Sequence, residues 1–437
     1  MKTKIIFFIT IFIFFSSFSF AFAKVNEHKL PSGLKILTSV NNLSETSSVN
    51  VWVKTGSANE TADNSGISHF LEHMFFRGTD KRGGLEFKSA IERLGGSSNA
   101  ETSKDYTRYY INVPAENTKD ALMLLVETLK YASFTKDDTE TERKVILEEY
   151  RMNKNNPMNT LFDKVFETAY PNHPYARSVI GTEKNIKKFT TGDLKNYRRE
   201  FYSPSNLTFI INGSFDEKDI VKYIADEFSN YDSLPKSDVK YKFEYPKTKP
   251  IRQNIKSYGE PSVLLAFYAP PAHNEKGIVK ADLFCFMMGM GKSSILEKMK
   301  KENSEKIKNV DIQFQTMRYP GLIFIVAEYD KKSKSTEIEQ ILMNTIKSVA
   351  DGKFTESELK RGKKILTNNH IFSNETNAGL AGSLGIYAVL NRWQFSEEYC
   401  DMINNLTKKD IMDFAKSLSE SPDFVFNIGS EKKGDRD

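Results

Sequence analysis

The chain has 437 residues, 62 of them basic and 57 acidic, which gives a formal net charge of +5 at pH 7. Because opposite charges are interspersed and nearly balanced, this composition argues against a protein that binds nucleic acid or an anionic membrane surface. The length exceeds what one hydrophobic core usually holds, so we expect two or more domains.

The first 23 residues have the pattern of an export signal. Two lysines precede a mostly apolar run, and the A-x-A of "AFA" at 21–23 forms a cleavage site before Lys24. This is typical of a Sec-type signal peptide. The alternative is an uncleaved anchor, because the 19 uncharged residues 5–23 are about enough to span a bilayer. We expect cleavage, export to the periplasm or the medium, and no membrane span in the mature chain.

The mature sequence predicts a series of strands and helices. Two strand-like runs, "GLKILTSV" and "SSVNVWVKTGS", come first. A helix through "HFLEH" follows, and then the short amphipathic helix "EFKSAIERLGG". The segment "SSNAETSKDYTRYYINVP" predicts two strands, and "NTKDALMLLVETLKYA" and "TKDDTETERKVILEEYRMNKN" predict two long helices. A further strand is predicted for "SNLTFIINGSF".

The pattern then begins again. Residues 244–254, "EYPKTKPIRQN", are the predicted linker between domains of residues 24–243 and 255–437. Beyond it, "VLLAFYAPP", "LFCFMMGMGKSSILEKMKK", "GLIFIVAEYD" and "STEIEQILMNTIKSVADG" repeat the order strand, helical region, strand, helix. "FTKDDTETERKVILEE" begins at Phe134 and "FTESELKRGKKILTNN" at Phe354, and they align without a gap. This offset indicates internal duplication, so we predict two tandem domains of one fold.

The chain has only two cysteines, Cys285 and Cys400. In an exported protein they could pair in a disulfide. Cys285, however, lies in the apolar run "ADLFCFMMG", which favours a buried thiol.

The segment "HFLEH" carries the candidate chemistry. On a helix, residues four apart lie on one face, so His69 and His73 can hold one ion, and Glu72 can reach a water beside it. Histidine suits zinc, and a catalytic zinc takes three protein ligands plus a water, whose proton a nearby carboxylate accepts. This order of residues is the H-x-x-E-H inverzincin motif. The alternative is a solvated histidine pair, because so short a pattern recurs by chance.

A third ligand is available among the acids of "TERKVILEEYR". Glu142 and Glu149 are two helical turns apart and share a face, whereas Glu148 points away. In the duplicated half, Glu149 aligns with Asn369, Glu142 aligns with Gly362, and HFLEH falls near "LFCFMM". The second copy therefore keeps the apolar framework without any candidate ligand. Polar residues needed for folding should recur in both copies, so their presence in one favours chemistry.

Together these segments resemble the pitrilysin/insulinase family of zinc metallopeptidases, in particular its half-size members akin to mitochondrial processing peptidase. The similarity extends over the mature chain through "SGISHFLEHMFFRGT", "LGGSSNAETSKDYTRYY", "ERKVILEE", "HPYARSVIGTEKNIKKFT" and "YSPSNLTFIINGSF". The resemblance implies one Zn²⁺ per chain, bound by His69, His73 and Glu149. It also implies that Glu72 is the general base and that Glu142 orients the ligands.

The resemblance implies an α+β fold, with a mixed sheet and packed helices in each of two tandem domains. It places Asn99 and Ala100 on an edge strand that binds an extended substrate by β-augmentation; the alternative is a turn that enters a strand. Two such chains would enclose a chamber that admits peptides or unfolded protein segments. The implied function is therefore that of a dimeric zinc endopeptidase.

One departure from the family lies in the C-terminal half. Active relatives carry an arginine and a tyrosine in a segment like L-R-E-x-x-G-L-A-Y, whereas "EKMKKENSEKIKNVD" has Lys300 near the arginine position and no tyrosine. We hypothesise that the chain is the zinc-bearing subunit of a heterodimer whose partner supplies that pair. Two alternatives are a non-catalytic assembly subunit of the same family and a protein that binds metal without catalysis.

Overall fold

The computed structural model describes residues 24–231, 233, 241–245, 250–257 and 260–430. The predicted signal peptide, residues 1–23, lies outside the described residues, as do residues 246–249 of the predicted linker. Each half of the chain forms one mixed β-sheet with helices packed against it, which confirms the expected α+β class.

The bounds of the helices and strands follow in chain order. The first half contains β1 Val25–Lys29, β2 Lys35–Val40, β3 Thr46–Val53, α1 Ile67–Met74, α2 Gly84–Arg93, β4 Ser97–Thr102, β5 Thr107–Pro114, α3 Thr118–Tyr131, α4 Lys136–Asn155, α5 Pro157–Ala169, α6 Glu183–Lys188, α7 Thr191–Phe201, β6 Leu207–Gly213 and α8 Glu217–Phe228. The second half contains β7 Ile251–Ser257, β8 Ser262–Tyr268, α9 Glu275–Gly289, α10 Ile295–Glu302, β9 Ile307–Phe314, β10 Leu322–Tyr329, α11 Ser335–Ala350, α12 Glu356–Ser373, α13 Asn377–Leu390, α14 Gln394–Asn405, α15 Lys408–Leu418 and β11 Phe424–Ser430.

The two sheets have the same topology. Their strand orders are β1-β2-β6-β3-β5-β4 and β7-β11-β8-β10-β9, and they match strand for strand once β1 is set aside. The parallel pairing also falls at equivalent places, between β2 and β6 in the first sheet and between β7 and β11 in the second. The sequence duplication is therefore a duplication of the fold. Within the described residues, β4 and β9 form equivalent sheet edges.

The long helices α4 and α12 show the same repeat locally. The Thr135 hydroxyl accepts the N–H of Asp138 at the start of α4, and the Thr355 hydroxyl accepts the N–H of Glu358 at the start of α12, both at 3.1 Å. Each threonine satisfies a backbone donor that the first helical turn leaves without a partner. Both helices thus begin one residue after an equivalent threonine.

Each half also lends one helix to the sheet of the other. Helix α13 packs against β3 and β6 of the first sheet, and residues of α5 share a core with β8, β10 and β11 of the second sheet. The halves are therefore held together by packed helices as well as by the connecting chain.

The boundary between the halves lies near the predicted linker. Strand β7 begins at Ile251, inside the 244–254 segment, because its parallel pairing with β11 begins there. The domain bounds themselves stay a prediction. Cys285 is buried and Cys400 is partly exposed, and both thiols are free. Within the described part of the chain, no helix is both long enough and apolar enough to cross a bilayer.

Candidate metal centre

His69, His73 and Glu149 come together where α1 packs against α4. The two histidine rings are one helical turn apart, and their centroids lie 4.6 Å from each other. Glu149 Oε1 lies 3.6 Å from His69 Nε2, and Glu149 Oε2 lies 3.5 Å from His73 Nε2. One ligand atom from each residue can be chosen so that all three lie within 4.8 Å of one another. Two imidazoles and a carboxylate thus converge on one small volume.

These distances suit a shared cation better than hydrogen bonds. An N–H···O bond is about 2.9 Å long, whereas two atoms that each lie about 2.1 Å from a tetrahedral zinc are about 3.4 Å apart. The donor set is also one that catalytic zinc takes. Side chains of His69, His73 and Glu149 would hold the ion, and three is the number of protein ligands that a catalytic zinc takes.

Glu142 lies behind His73. Its Oε1 is 2.7 Å from His73 Nδ1, and Arg77 donates to its Oε2. Because Glu142 is an acceptor, Nδ1 of His73 carries the proton and Nε2 is left to face Glu149. The sequence analysis did not identify Arg77, although its position four residues after His73 is a signal for a residue near the same site.

Glu72 faces a cleft beside the His69–His73–Glu149 cluster. Its Oε2 accepts a hydrogen bond of 2.6 Å from the hydroxyl of Thr102, at the end of edge strand β4. The cleft has a volume of about 690 Å³ and is lined by Glu72, His73, Phe76 and Asn99, among others. The sequence motif did not identify Thr102 as a site residue, although Thr102 is only three residues after Asn99 in "NAET".

The pKa values of the site residues are shifted, some upwards and some downwards. Burial and the charge of His73 lower the pKa of His69 to about 4. Burial alone would lower the pKa of His73, but the hydrogen bond with Glu142 and the nearby carboxylate of Glu149 outweigh it and raise the pKa to about 9. The nearby ring of His73 lowers the pKa of Glu149. Burial raises the pKa of Glu72, which moves this carboxyl towards the range that suits a general base.

Asn99 and Ala100 lie on β4, which is an edge strand rather than a turn. Asn99 pairs with Tyr110 and Ala100 with Tyr109 of β5. Asn99 is exposed and its side chain lines the cleft, whereas Ala100 packs partly against the core. The structure therefore brings the edge strand to the same cleft as Glu72 and His73.

The equivalent place in the second half is filled by apolar side chains. A Cβ at Gly362, the counterpart of Glu142, would lie 2.5 Å from Cγ of Met287 and 3.3 Å from Cδ1 of Leu283. The pair Met287 and Gly362 thus occupies the position of His73 and Glu142, which aligns "LFCFM" of α9 with "HFLEH" of α1 residue by residue. In this register Leu283 stands where His69 does and Phe286 where Glu72 does. No candidate ligand has a counterpart.

Lys300 lies in α10, near the position where relatives carry arginine. Its Nζ donates to Glu297 Oε1 at 2.5 Å, so its charge is already engaged within α10.

The duplicated fold, with a His-His-Glu cluster in its first copy, defines a class of two-domain metallopeptidases, and comparison with protein families agrees. Residues 35–183 match the model described as insulinase (peptidase family M16). Residues 188–366 match the model described as peptidase M16 inactive domain. The chain belongs to the M16 insulinase family, and its half-size organisation of two M16 domains is the one that the motifs indicated.

Individual relatives support this assignment. The chain is 28% identical over 391 residues to the zinc protease PqqE of Helicobacter pylori, a match that covers 88% of this chain and 87% of that protein. It is 34% identical over 206 residues to the probable mitochondrial-processing peptidase subunit beta of Arabidopsis thaliana, which covers 47% of this chain and 39% of that protein.

Solved structures share the fold. The crystal structure of a protease from Helicobacter pylori is similar with a TM-score of 0.86 and 25% identity, covering 93% of this chain and 99% of that one. The periplasmic protease PqqL from Escherichia coli is similar with a TM-score of 0.74, covering 93% of this chain and 48% of that one. At 18% identity, the second likeness concerns the fold alone.

Proposed function

We propose that this chain is a zinc-dependent endopeptidase that cleaves peptides or unfolded polypeptide segments. The observation that carries the proposal is the convergence of His69, His73 and Glu149 at ligand spacing. Glu72, a further carboxylate, faces the adjoining cleft. A site that only stored metal would have no use for Glu72. The name zinc protease carried by the relative PqqE is consistent with this chemistry.

The residues divide the work in the proposed reaction. His69, His73 and Glu149 would hold one zinc ion per chain, and the ion would make the attacking water more acidic and so activate it. Glu72 accepts a proton from the attacking water and returns it to the leaving amine, so no net proton is gained or lost. Glu142 keeps His73 in the tautomer that leaves Nε2 free.

The substrate would lie along the free edge of β4. An extended segment can add to such an edge through main-chain hydrogen bonds, with Asn99 and Ala100 as its neighbours. Only a flexible segment can supply an unpaired strand of this kind, so folded proteins would be poor substrates. Residues 1–23 support export, and we place the mature enzyme in the periplasm or outside the cell.

We also propose that the active enzyme is a heterodimer. Its partner chain supplies the arginine and the tyrosine that are absent from the segment "EKMKKENSEKIKNVD" of this chain. Lys300 does not reproduce the arginine, because its single ammonium lacks the planar fork of a guanidinium; it forms an ion pair with Glu297 within α10. The word "subunit" in the name of the mitochondrial relative is consistent with such an arrangement.

The direct experiment is to purify the chain and measure zinc content and cleavage of unstructured peptides. We expect one zinc per chain, cleavage that a chelator abolishes and zinc restores, and higher activity after addition of the partner purified from the native host. A chain without zinc would support the rival function, a non-catalytic assembly subunit. Full activity of the chain alone as a homodimer would contradict the heterodimer.

A further inference from the structure

Glu60 is a buried carboxylate at the start of the loop that leads into α1, the helix of His69 and His73. Its side chain is in the core, and the residue is 1% exposed. Oε2 accepts the N–H of Gly66 at 2.8 Å and Oε1 accepts the N–H of Ser68 at 2.9 Å. Gly66 directly precedes α1 and Ser68 lies in its first turn, where backbone N–H groups have no partner within the helix. Glu60, which lies outside α1, therefore caps the N-terminal end of this helix.

The capping loop is itself held in place. Arg177 donates to the backbone carbonyl of Glu60, and Asn185 Nδ2 donates to the carbonyl of Ala62 at 2.9 Å. On the other side of α1, the hydroxyls of Ser68 and Tyr197 lie 2.8 Å apart. Ser68 is thus bonded from two directions, through its N–H and through its side chain, which fixes the rotation of the first turn about the helix axis.

His69 directly follows Ser68, and its ring lacks the support that His73 has. His73 Nδ1 is held by Glu142, whereas His69 Nδ1 is buried and has no hydrogen-bond partner among the described residues. A histidine that binds metal usually has its second nitrogen fixed by an acceptor. Without one, the direction of Nε2 depends on where the backbone of α1 places the ring and on how the ring packs against His73.

We propose that Glu60 is a positioning residue that fixes the first turn of α1 and thereby aims His69 Nε2 at the ion. A carboxyl group suits this place because each of its two oxygens accepts one N–H group, and these bonds persist although burial raises the pKa of Glu60 to about 7. The inference rests on the proposed function only in taking zinc as the ion that His69 binds.

The test compares zinc affinity in full-length variants by competition with a chelator, at a temperature where every variant is folded. Glu60→Gln keeps the shape but turns an amide donor towards one of the two N–H groups, and Glu60→Ala removes both acceptors. We expect the zinc dissociation constant to rise about 10-fold in Glu60→Gln and by up to about 100-fold in Glu60→Ala. The absorption spectrum of the Co²⁺-loaded chain should also change, because it reports ligand geometry.

The matched control is Thr355→Ala, which removes the cap of α12 in the half without the cluster. It should lower the melting temperature and leave zinc affinity and the Co²⁺ spectrum unchanged. If Glu60→Ala does not fold, Glu60→Gln decides alone. Wild-type zinc affinity in folded Glu60→Gln would overturn this inference and leave the proposed function intact. A wild-type chain that binds no zinc would overturn both.

Discussion

At the scale of single residues, His73 is the candidate histidine ligand that has a carboxylate near each of its ring nitrogens. Glu142 faces Nδ1 at 2.7 Å, Glu149 faces Nε2 at 3.5 Å, and Arg77 secures Glu142 in turn. A histidine held in this way has one ring orientation, with Nε2 towards Glu149, so less order has to be gained when an ion binds. The hydrogen bonds that link Arg77 to Glu142 and Glu142 to His73 should therefore set much of the zinc affinity.

Replacing Glu142 by glutamine tests that statement. The amide can present a donor to Nδ1, which disfavours the tautomer with a free Nε2, so zinc affinity should fall about 10- to 100-fold. Chelator competition measures the change. Glu148→Gln is the control, because Glu148 is exposed on the same helix and pairs with Arg151. Equal affinities in the two variants would show that His73 is oriented by something else.

The residues of the candidate site differ in how far sequence can predict them. His69, Glu72 and His73 form a local motif, and helical spacing brings Glu149 into consideration. Thr102 and Glu60 act through contacts that a motif does not contain, a hydroxyl from β4 and a carboxylate from a loop. Such contacts depend on how α1 packs in three dimensions, and the hydrophobic periodicity of the sequence does not predict this packing.

At the scale of elements, α9 and α12 show how the second copy has changed. Where α1 and α4 bring histidine and glutamate together, α9 brings Met287 against Gly362 of α12. The sequence alone aligned α4 with α12, because both follow the order F-T, charged turn and basic-apolar helix without a gap. The sequence aligned α9 with α1 only approximately, because apolar runs can be aligned in several registers. The contact between Met287 and Gly362 selects one of these registers.

Gly362→Ala should destabilise the chain although alanine favours helices. The new Cβ would lie 2.5 Å from Cγ of the buried Met287, and overpacking of a core typically costs about 1–3 kcal/mol, more than the helix preference of alanine returns. Urea unfolding measures the loss. Gly429→Ala, where a Cβ meets nothing within 4 Å, is the control. Zinc content should stay at the wild-type value in both, and a stabilised Gly362→Ala would contradict the packing described.

At the scale of the whole molecule, the two halves form one packed unit. Besides the exchanged helices α5 and α13, the buried Asp105 accepts the N–H of Arg318 at 3.0 Å and a hydrogen bond from the Tyr175 hydroxyl. Asp105 lies in the turn between β4 and β5, so the second half supports the strand pair that borders the cleft. The sequence suggested where one half ends and the other begins. It did not show that α13 packs on the sheet of the other half, because apolar residues lie on several sides of this helix and do not mark one face for packing.

The contact of α13 with the first sheet can be tested on one helix. A Cβ at Gly385 would lie 2.0 Å from Cε2 of Trp52, which is buried and cannot withdraw. Gly385→Ala should therefore lower the free energy of unfolding by about 3 kcal/mol. Gly382→Ala, where the nearest atom of Arg108 would be at 3.6 Å, should have little effect. Equal stabilities of the two variants in urea would argue against this packing of α13.

The junction of the halves also predicts a dependence of stability on pH. His173 lies among aromatic rings, with centroids at 4.5 Å for Tyr175 and 4.7 Å for Tyr319, and burial, aided by the charge of Arg177, lowers its pKa to about 4. The unfolded chain, with a histidine pKa near 6.5, binds the proton more readily between these values, so unfolding becomes harder as pH rises from about 4 to 6.5.

His173→Phe should remove this part of the pH dependence, a difference of about 1–3 kcal/mol across the interval, because each unit of pKa difference is worth about 1.4 kcal/mol. Chemical unfolding at several pH values measures it, with the exposed His273→Gln as the control. The same pH profile in His173→Phe and wild type would show that His173 does not titrate differently in the folded chain.

The central claim is that Glu72 acts on the substrate at a zinc held by its neighbours and is not itself a ligand. The most direct measurement is the peptide cleavage rate of the zinc-loaded Glu72→Gln variant. We predict one zinc per chain, as in wild type, and a rate about 10²- to 10⁴-fold lower, because the amide cannot accept the proton of the attacking water. Cleavage at the wild-type rate by this zinc-loaded variant would contradict the account.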